Sequence, residues 1–176
     1  MAAKREKAWT AAAWATLKAE RKDLGAGKRA LETLAAASEG FCASLLALCI
    51  AGSAGQTGPV STLSPGAVAA AAQQLLPADS PALRLVLEAV ASRPAPPPEL
   101  VAAVRLQSPA CRAAAGGGAE ALAAAVGAAV GMLVQAASEL TDARHAAAGV
   151  LDGSLFLQDI NGALEADSAL RVIVGS

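Results

Sequence analysis

Side chains that could do chemistry are sparse in this chain, and His145 with Asp142 is the pair whose spacing invites a catalytic interpretation. Residues three apart on a helix share a face, so the carboxylate could orient the imidazole as a general base. Such a base serves nucleophilic catalysis only beside a serine or cysteine, and nothing in the neighbouring sequence marks one. We therefore expect no enzyme activity and predict that His145 is an exposed helical side chain.

Three cysteines, Cys42, Cys49 and Cys111, could join His145 as zinc ligands. Structural zinc sites use closely spaced pairs of ligands, and this sequence has no such pair. The odd number of cysteines favours a reducing compartment. Cys42 and Cys49 are seven residues apart in a helical stretch, about 10 Å along the axis, which is too far for a disulfide. We therefore expect no metal, no cofactor and an intracellular protein.

The motif Gly25-Ala26-Gly27-Lys28 resembles part of a phosphate-binding loop. That loop needs a glycine five residues before Gly27 and a hydroxyl residue after Lys28, where this sequence has Lys22 and Arg29. The motif is better interpreted as a helix break. The late acidic residues do not fit the register of a calcium loop, and we predict that they solvate the last helix: Asp152, Asp159, Glu165 and Asp167.

Alanine makes up about 28 % of the residues, and tyrosine is absent. Alanine is the best helix former, but its single methyl group buries little surface. A buried leucine contributes roughly 1.5–3 kcal/mol, and such bulky residues are few. We therefore predict an all-α fold: an Ala-rich antiparallel bundle of about five to seven helices with short Pro/Gly-rich loops. A core this thin predicts marginal stability and favours burial against a partner chain.

The first half of the chain predicts a helix over residues 4–24 and another over 28–51, either separated at the glycines or joined as one long bent helix. Apolar residues of the second helix recur every three or four positions, a heptad-like stripe that also includes Ser38. We predict that its apolar members form an interaction seam for a partner: Leu31, Leu34, Phe41, Leu45 and Leu48.

Residues 52–64 predict a loop, after which Ser64-Pro65 and Ser80-Pro81 each predict a helix start with a capping hydroxyl and an early proline. These helices should run to about residues 76 and 92. Residues 93–98 form a proline-rich linker. We expect one helical domain over residues 1–176, with sub-layers 1–92 and 99–176 on either side of this linker.

Beyond the linker, a helix is predicted from residue 99, a break at the glycines 116–118, and a long helix over 119–148. Ser154 is predicted to cap a last helix, and residues 170–174 form a short β-like run. The apolar stripe of the long helix is expected to be buried: Leu122, Val126, Val130, Leu133, Ala137 and Leu140.

Residues 121–138 carry no charge and contain Gly127 and Gly131, a spacing used by pairs of membrane helices. The segment has few strongly apolar side chains and includes Gln135, so it suits the core of a soluble bundle better than a membrane. We therefore expect no membrane association.

Charge is distributed unevenly, because residues 1–32 carry eight basic and four acidic side chains whereas the rest is acidic. A basic first helix could contact RNA or an acidic protein. The basic and acidic side chains alternate along this helix, which favours a solvated surface instead. The helix also has no aromatic pattern typical of nucleic-acid binding. The candidate basic patch comprises Lys4, Arg5, Lys7, Lys18, Arg21 and Lys22.

Several segments, taken in order, carry a family resemblance: the helix around Phe41, Leu45 and Leu48, the stretch GQTGPVSTLS at 55–64, the helix of small residues that ends at Leu75-Leu76, the segment PELVAAV at 98–104 leading to Ala110-Cys111, and the long helix with Leu133-Val134 and Glu139-Leu140. Together they resemble the N-terminal half of the cyclin-D-binding protein family, over about residues 28–145. The resemblance implies an all-helical protein of nucleus and cytoplasm that binds D-type cyclins and helix-loop-helix regulators. It implies no enzyme activity and identifies no contact residue.

From this sequence we expect a non-enzymatic helical interaction module that resembles cyclin-D-binding regulators of cell-cycle progression and transcription. The alternative is a structural helical subunit of a large protein or ribonucleoprotein assembly, whose basic first helix contacts the partner. A small enzyme is a third interpretation, and it would need a cleft that gathers His145, a cysteine and acidic residues.

Overall fold

The computed structural model describes residues 1–52, 63–92, 95–109, 111, 117–149 and 153–175. Within these ranges the chain forms eight helices and two strands of two residues each. The predicted all-α helical bundle is confirmed. The helices are α1 (Ala2–Glu20), α2 (Lys28–Gly52), α3 (Pro65–Leu75), α4 (Pro81–Ser92), α5 (Pro98–Gln107), α6 (Gly118–Ala148), α7 (Leu157–Ala166) and α8 (Ser168–Gly175).

Helix α6 lies at the centre of the bundle and packs against the seven other described helices. Its glycines make room for neighbours, because a Cβ atom on Gly127 would lie 3.1 Å from Leu100 Cδ2 and one on Gly131 would lie 2.7 Å from the Glu20 carboxylate. The glycine spacing on α6 therefore serves contacts within this chain. One contiguous core includes residues from both expected sub-layers, 1–92 and 99–176.

The two predicted serine-proline helix starts are confirmed. Ser64 Oγ accepts a hydrogen bond from the Ala67 N–H at 3.1 Å, and Ser80 Oγ accepts one from the Leu83 N–H at 3.2 Å. Each serine thus satisfies a backbone donor that the first turn leaves without an intrahelical partner. Most of the predicted loop 52–64, the linker residues 93–94 and Gly116 lie outside the described residues.

The prediction of one long bent helix at the N-terminus is wrong. Helix α1 ends at Glu20, and Arg21 has extended backbone angles, φ −140° and ψ 91°. The chain then enters β1 (Gly25–Ala26), which pairs in parallel with β2 (Ser154–Leu155). The Gly27 N–H donates to the Leu155 carbonyl oxygen at 2.9 Å. The glycine motif is therefore a strand that separates α1 from α2.

The C-terminal segment also differs from its prediction. Ser154 lies in β2 and does not cap a helix, since the cap residue of α7 is Phe156. Asp167 adopts an extended conformation that separates α7 from α8, so the segment forms two helices and the described helices number eight, above the five to seven expected. The β-like run 170–174 lies within α8 because its apolar side chains Leu170 and Ile173 face the core on one side of a helix.

Two glycines offer a test of the close packing. A methyl group on Gly118 would press on the Leu63 backbone, with the carbonyl carbon only 2.8 Å away. Because that backbone has little room to move, Gly118→Ala should lower the free energy of unfolding by about 1–3 kcal/mol. At Gly40, inside α2, an added Cβ atom meets nothing within 4 Å. Gly40→Ala should therefore raise the same quantity by about 0.5–1 kcal/mol. Urea denaturation followed by circular dichroism measures both, and a stabilising Gly118→Ala would contradict this packing.

Candidate functional site

The three cysteine side chains are buried, each at most 3 % exposed. Burial is the main cause that raises the pKa of the Cys42 thiol, and it raises that of Cys49 to about 11. A protonated thiol is a poor nucleophile and a poor metal ligand, so these cysteines behave as small apolar core residues. Among the described residues, no group of three or more His, Cys, Asp and Glu side chains is arranged to hold a metal ion.

Because the cysteines are buried, we expect a thiol-reactive dye to label them slowly in the folded protein. In native buffer at pH 8, a thiol-reactive dye should modify Cys42 and Cys49 only through opening of the structure, because both thiols are protonated and hidden from solvent. In concentrated urea the same dye should react at the rate of free cysteine, which serves as the control. Absorbance of the released dye measures both rates. Modification of these thiols in native buffer at the rate of free cysteine would contradict their burial.

His145 is buried, only 6 % exposed, so the prediction of an exposed histidine is wrong. It follows Thr141 by four residues and Ala137 by eight, and both of these are buried on the same face of α6. Leu140, which the predicted stripe included, is instead 39 % exposed. The Asp142 carboxylate, which the catalytic interpretation paired with His145, accepts hydrogen bonds from the Arg21 guanidinium at 2.9 and 3.2 Å.

Asp159 is also buried, with 4 % of its side chain exposed. Its carboxylate accepts hydrogen bonds from Thr141 Oγ1 and the Phe156 N–H, both at 2.9 Å, and from the Arg144 guanidinium at 3.0 Å. Burial by itself would raise the pKa of this carboxyl, but the hydrogen bonds, led by those from Arg144, outweigh burial and lower the pKa. The expectation that Asp159 is solvated is therefore wrong.

The surroundings of Asp159 form a connection between elements. Arg144 donates to the Ser154 carbonyl oxygen at 3.1 Å and lies over the Phe156 ring, 4.6 Å from its centroid. We call Thr141, Arg144, Ser154, Phe156 and Asp159 the Asp159 cluster. It joins the last turns of α6 to β2 and to the first turn of α7. A carboxylate held by three donors and hidden from solvent suits a structural role better than proton transfer.

The sequence contains a pattern that predicts a helix-capping role for Asp159, although an acidic residue by itself suggests a solvated side chain. An acidic residue three positions after the residue that caps a helix commonly accepts the backbone N–H of that cap residue. Phe156 and Asp159 have this spacing and make this bond. Of the other late acids, Glu165 is exposed as expected, Asp167 accepts a hydrogen bond from the Ala169 N–H at 2.8 Å, and Asp152 lies outside the described residues.

Asp159→Asn tests the ionised carboxylate. Hydrogen bonds to a charged group contribute about 1.5–3 kcal/mol, so the free energy of unfolding at pH 7 should fall by roughly 2 kcal/mol. Because the folded-state pKa is lowered, the stabilisation is complete above the unfolded-state value of about 3.9 and is lost as the pH falls through the folded-state value. Urea denaturation across this range should show the difference shrinking below about pH 4. The exposed Asp79→Asn variant is the control, and a difference independent of pH would contradict the ionised carboxylate.

The predicted basic patch is divided between the two ends of α1 and does not form one surface. Eleven residues separate the two groups, which corresponds to about 16 Å along a helix axis. The first group lies in the opening turns of α1 and the second at or just beyond its end: Lys4, Arg5 and Lys7, then Lys18, Arg21 and Lys22.

Half of these basic residues are also held by neighbours. Arg5 Nε lies 2.7 Å from the Glu39 carboxylate, and Arg21 Nη1 lies 2.9 Å from that of Asp142. Lys18 Nζ donates to a backbone carbonyl oxygen at 2.6 Å. The carboxylates neutralise the charges of Arg5 and Arg21, whereas the carbonyl oxygen fixes the position of Lys18 and leaves its charge in place.

The predicted interaction seam on α2 faces the chain's own core. Leu34, Phe41 and Leu45 are at most 1 % exposed, and Leu31 and Leu48 are half-buried against the same core. The spacing correctly marks the buried face of α2, but α1, α3, α6 and α8 pack against this helix. The seam is therefore not a surface open to a partner.

A surface groove between α4 and α6, with the end of α1 beside it, was not anticipated from the sequence. It has a volume of about 620 Å³. Gln135 Nε2 donates to the Glu20 carboxylate across it at 2.8 Å, and Leu85 is 43 % exposed within it. We call it the α4–α6 groove and define it by its lining: Glu20, Leu85, Glu88, Ala89, Ser92, Ala128, Gly131, Met132, Gln135, Ala136 and Glu139.

A second cavity of about 600 Å³ adjoins the α4–α6 groove, between α4, α5, α6 and the prolines Pro96 and Pro98. Ala89 lines both, and a cavity of about 300 Å³ lies between them. The charged residues of this second cavity, Arg105 and Glu120, form an ion pair at 2.7 Å. Its charges therefore compensate each other, whereas the carboxylates of the α4–α6 groove have no basic neighbour in the described lining.

Two helices, α2 and α6, are long and apolar enough to cross a membrane by length and composition alone. Half of the apolar window of α2 and 72 % of that of α6 are buried inside the protein. Core helices of soluble proteins have the same length and composition, so these two properties are weak evidence for a membrane span.

The amino-acid sequence matches no protein-family model, and it matches no curated protein. The resemblance to the cyclin-D-binding family therefore rests on the segments quoted above. Of these segments, residues 55–62 and Ala110 lie outside the described residues.

Proposed function

We propose that this chain is a helical protein–protein interaction module without enzyme activity. The α4–α6 groove is the observation that supports this proposal, because it holds the exposed Leu85 and the half-buried Met132 in a concave surface. Apolar side chains in such a surface are typical anchors for a partner. The residues whose side chains could take part in catalysis are buried in the protein: His145, Asp159 and the cysteines.

The resemblance to the cyclin-D-binding family supplies the class of partner. We propose that the chain binds D-type cyclins or helix-loop-helix proteins in nucleus and cytoplasm, and that it restrains cell-cycle progression and transcription through them. A nucleic-acid partner is not proposed, because the six basic residues are divided between the two ends of α1 and two of them, Arg5 and Arg21, are paired with carboxylates. Membrane association is not proposed either, because much of each apolar helix window is buried.

The alternative function is that of a structural subunit in a large protein or ribonucleoprotein assembly. The exposed Lys4 and Lys7 at the start of α1 support it. Contacts of these lysines with phosphates would weaken steeply as the salt concentration rises, whereas an apolar interface would not. The two functions therefore differ in the salt dependence of partner binding.

Calorimetric titration of the purified chain with a D-type cyclin, and separately with a helix-loop-helix dimer, tests the proposed function. We expect saturable binding to at least one of them, with a negative heat-capacity change because apolar surface becomes buried. A cyclin of another class is the control partner. If neither protein binds, the partners that the resemblance implies are wrong, and binding only to RNA at low salt would favour the structural subunit.

A further inference from the structure

We propose that the α4–α6 groove binds an amphipathic helix of a partner protein, with an apolar stripe on one face and Lys or Arg residues beside that stripe. This inference rests on the proposed function, because it assigns the surface and the chemistry of a protein partner. The walls of the groove, its uncovered apolar side chains and its charge support it.

The walls of the groove are two helices whose lining residues repeat at helical spacing. Ala128, Met132 and Ala136 follow each other every four residues on α6, and Leu85 and Ala89 do so on α4. Because residues four apart share a helix face, each wall presents a continuous row of side chains. Most of these side chains are small, so the backbone of a third helix can approach closely and place its own side chains between the rows.

The groove contains apolar surface that the described residues leave exposed. Leu85 is 43 % exposed, one of six large apolar side chains that are exposed within the described ranges. Met132, opposite it on α6, is half-buried and touches the core. Both residues line the concave surface, so an apolar stripe of a partner helix seated in the groove would bury them.

The charge of the groove identifies the residues that flank this stripe. Glu20, Glu88 and Glu139 are exposed, and none of them forms an ion pair in the part of the chain that the structure describes. Glu39 and Glu120, outside the groove, each lie 2.7 Å from an arginine. The Glu20 carboxylate accepts a hydrogen bond from the neutral Gln135 amide, which leaves its negative charge uncompensated. Basic side chains of a partner would complement the three negative charges, whereas a polyanion such as RNA would be repelled by them.

The length of the groove sets the length of the partner helix. Ala128 and Glu139 lie eleven residues apart on α6, about 16 Å along the axis, which is roughly three turns. A peptide of about 14 residues therefore spans the whole groove.

The probe is a fluorescent 14-residue peptide designed with leucines at helical spacing and lysines on both sides of them. Fluorescence anisotropy measures its binding to the full chain, and hydrogen exchange of the complex locates it. We expect binding that protects α4 and α6 and that weakens as salt is added. The same peptide with glutamates in place of the lysines should not bind.

The triple variant Glu20→Gln, Glu88→Gln and Glu139→Gln removes the groove charges without removing an ion pair. It should weaken binding of the lysine peptide at least tenfold. The triple variant Glu6→Gln, Glu99→Gln and Glu165→Gln changes the net charge equally at exposed sites outside the groove, and it should weaken binding less than threefold. Circular dichroism should show equal melting of both variants and the wild type.

Equal loss of binding in the two triple variants, or no binding of the lysine peptide to the wild type, would overturn the groove assignment. A free chain that dimerises through α4 and α6, detected by light scattering and hydrogen exchange, would overturn it too, because a second copy would then be the occupant. Unchanged binding of the D-type cyclin or the helix-loop-helix dimer to the groove variant overturns this inference alone. Failure of both proteins to bind the wild type overturns the proposed function, while the peptide results still decide the groove.

Discussion

Close approach of helices along α6 is the constraint on which the rest of this structure depends. Ala123, Ala125 and Ala129 are fully buried, and each methyl group removes little surface from water. Cohesion therefore comes from many short contacts between backbones that lie near one another. Leu100 and the carboxylate of Glu20 occupy the spaces beside Gly127 and Gly131 of α6. A methyl group at Gly127 would press on the buried Leu100 side chain, whereas one at Gly131 would displace the end of the exposed Glu20 side chain.

Charged residues in this protein fall into two groups according to their partners. Those at the end of the bundle near β2 are held by opposite charges and backbone groups, as Asp159 is by Arg144. Those of the α4–α6 groove have carboxylates that form no ion pair among the described residues. The first group joins α6 to β2 and to the start of α7, and the second group lies where the surface is concave and partly apolar. This contrast separates charges that hold the fold from charges that remain available for binding.

The sequence alone predicts a helix correctly where nearby side chains determine the end of that helix. Ser64 and Ser80 start α3 and α4 because their hydroxyl groups act on the next few residues only. The long helix at 119–148 differs by a single residue from α6, Gly118–Ala148, because its apolar period is unbroken. The predicted end of the first helix is wrong because Gly25 pairs in parallel with Ser154. Ser154 lies far along the chain, so no local pattern near Gly25 indicates this pairing.

The candidate site was harder to predict because its parts come from several elements. Spacing identified the buried face of α2, yet no pattern within one helix shows whether its own chain or another protein covers that face. Burial of His145 follows from the packing of α6 against other helices, which a single helix does not encode. Glu20, Glu88 and Glu139 belong to three helices, so only the assembled bundle brings their carboxylates to one groove.

The short parallel pairing of β1 with β2 has a consequence for how this protein is made. Its two strands lie more than a hundred residues apart, so the ribosome releases β1 long before β2 exists. Closing so long a loop costs only slightly more entropy than closing a shorter one, because that cost grows with the logarithm of length. The consequence is therefore one of timing: during translation the edge of β1 stays unpaired until residues 154–155 have emerged, and α7 and α8 can pack only after that point.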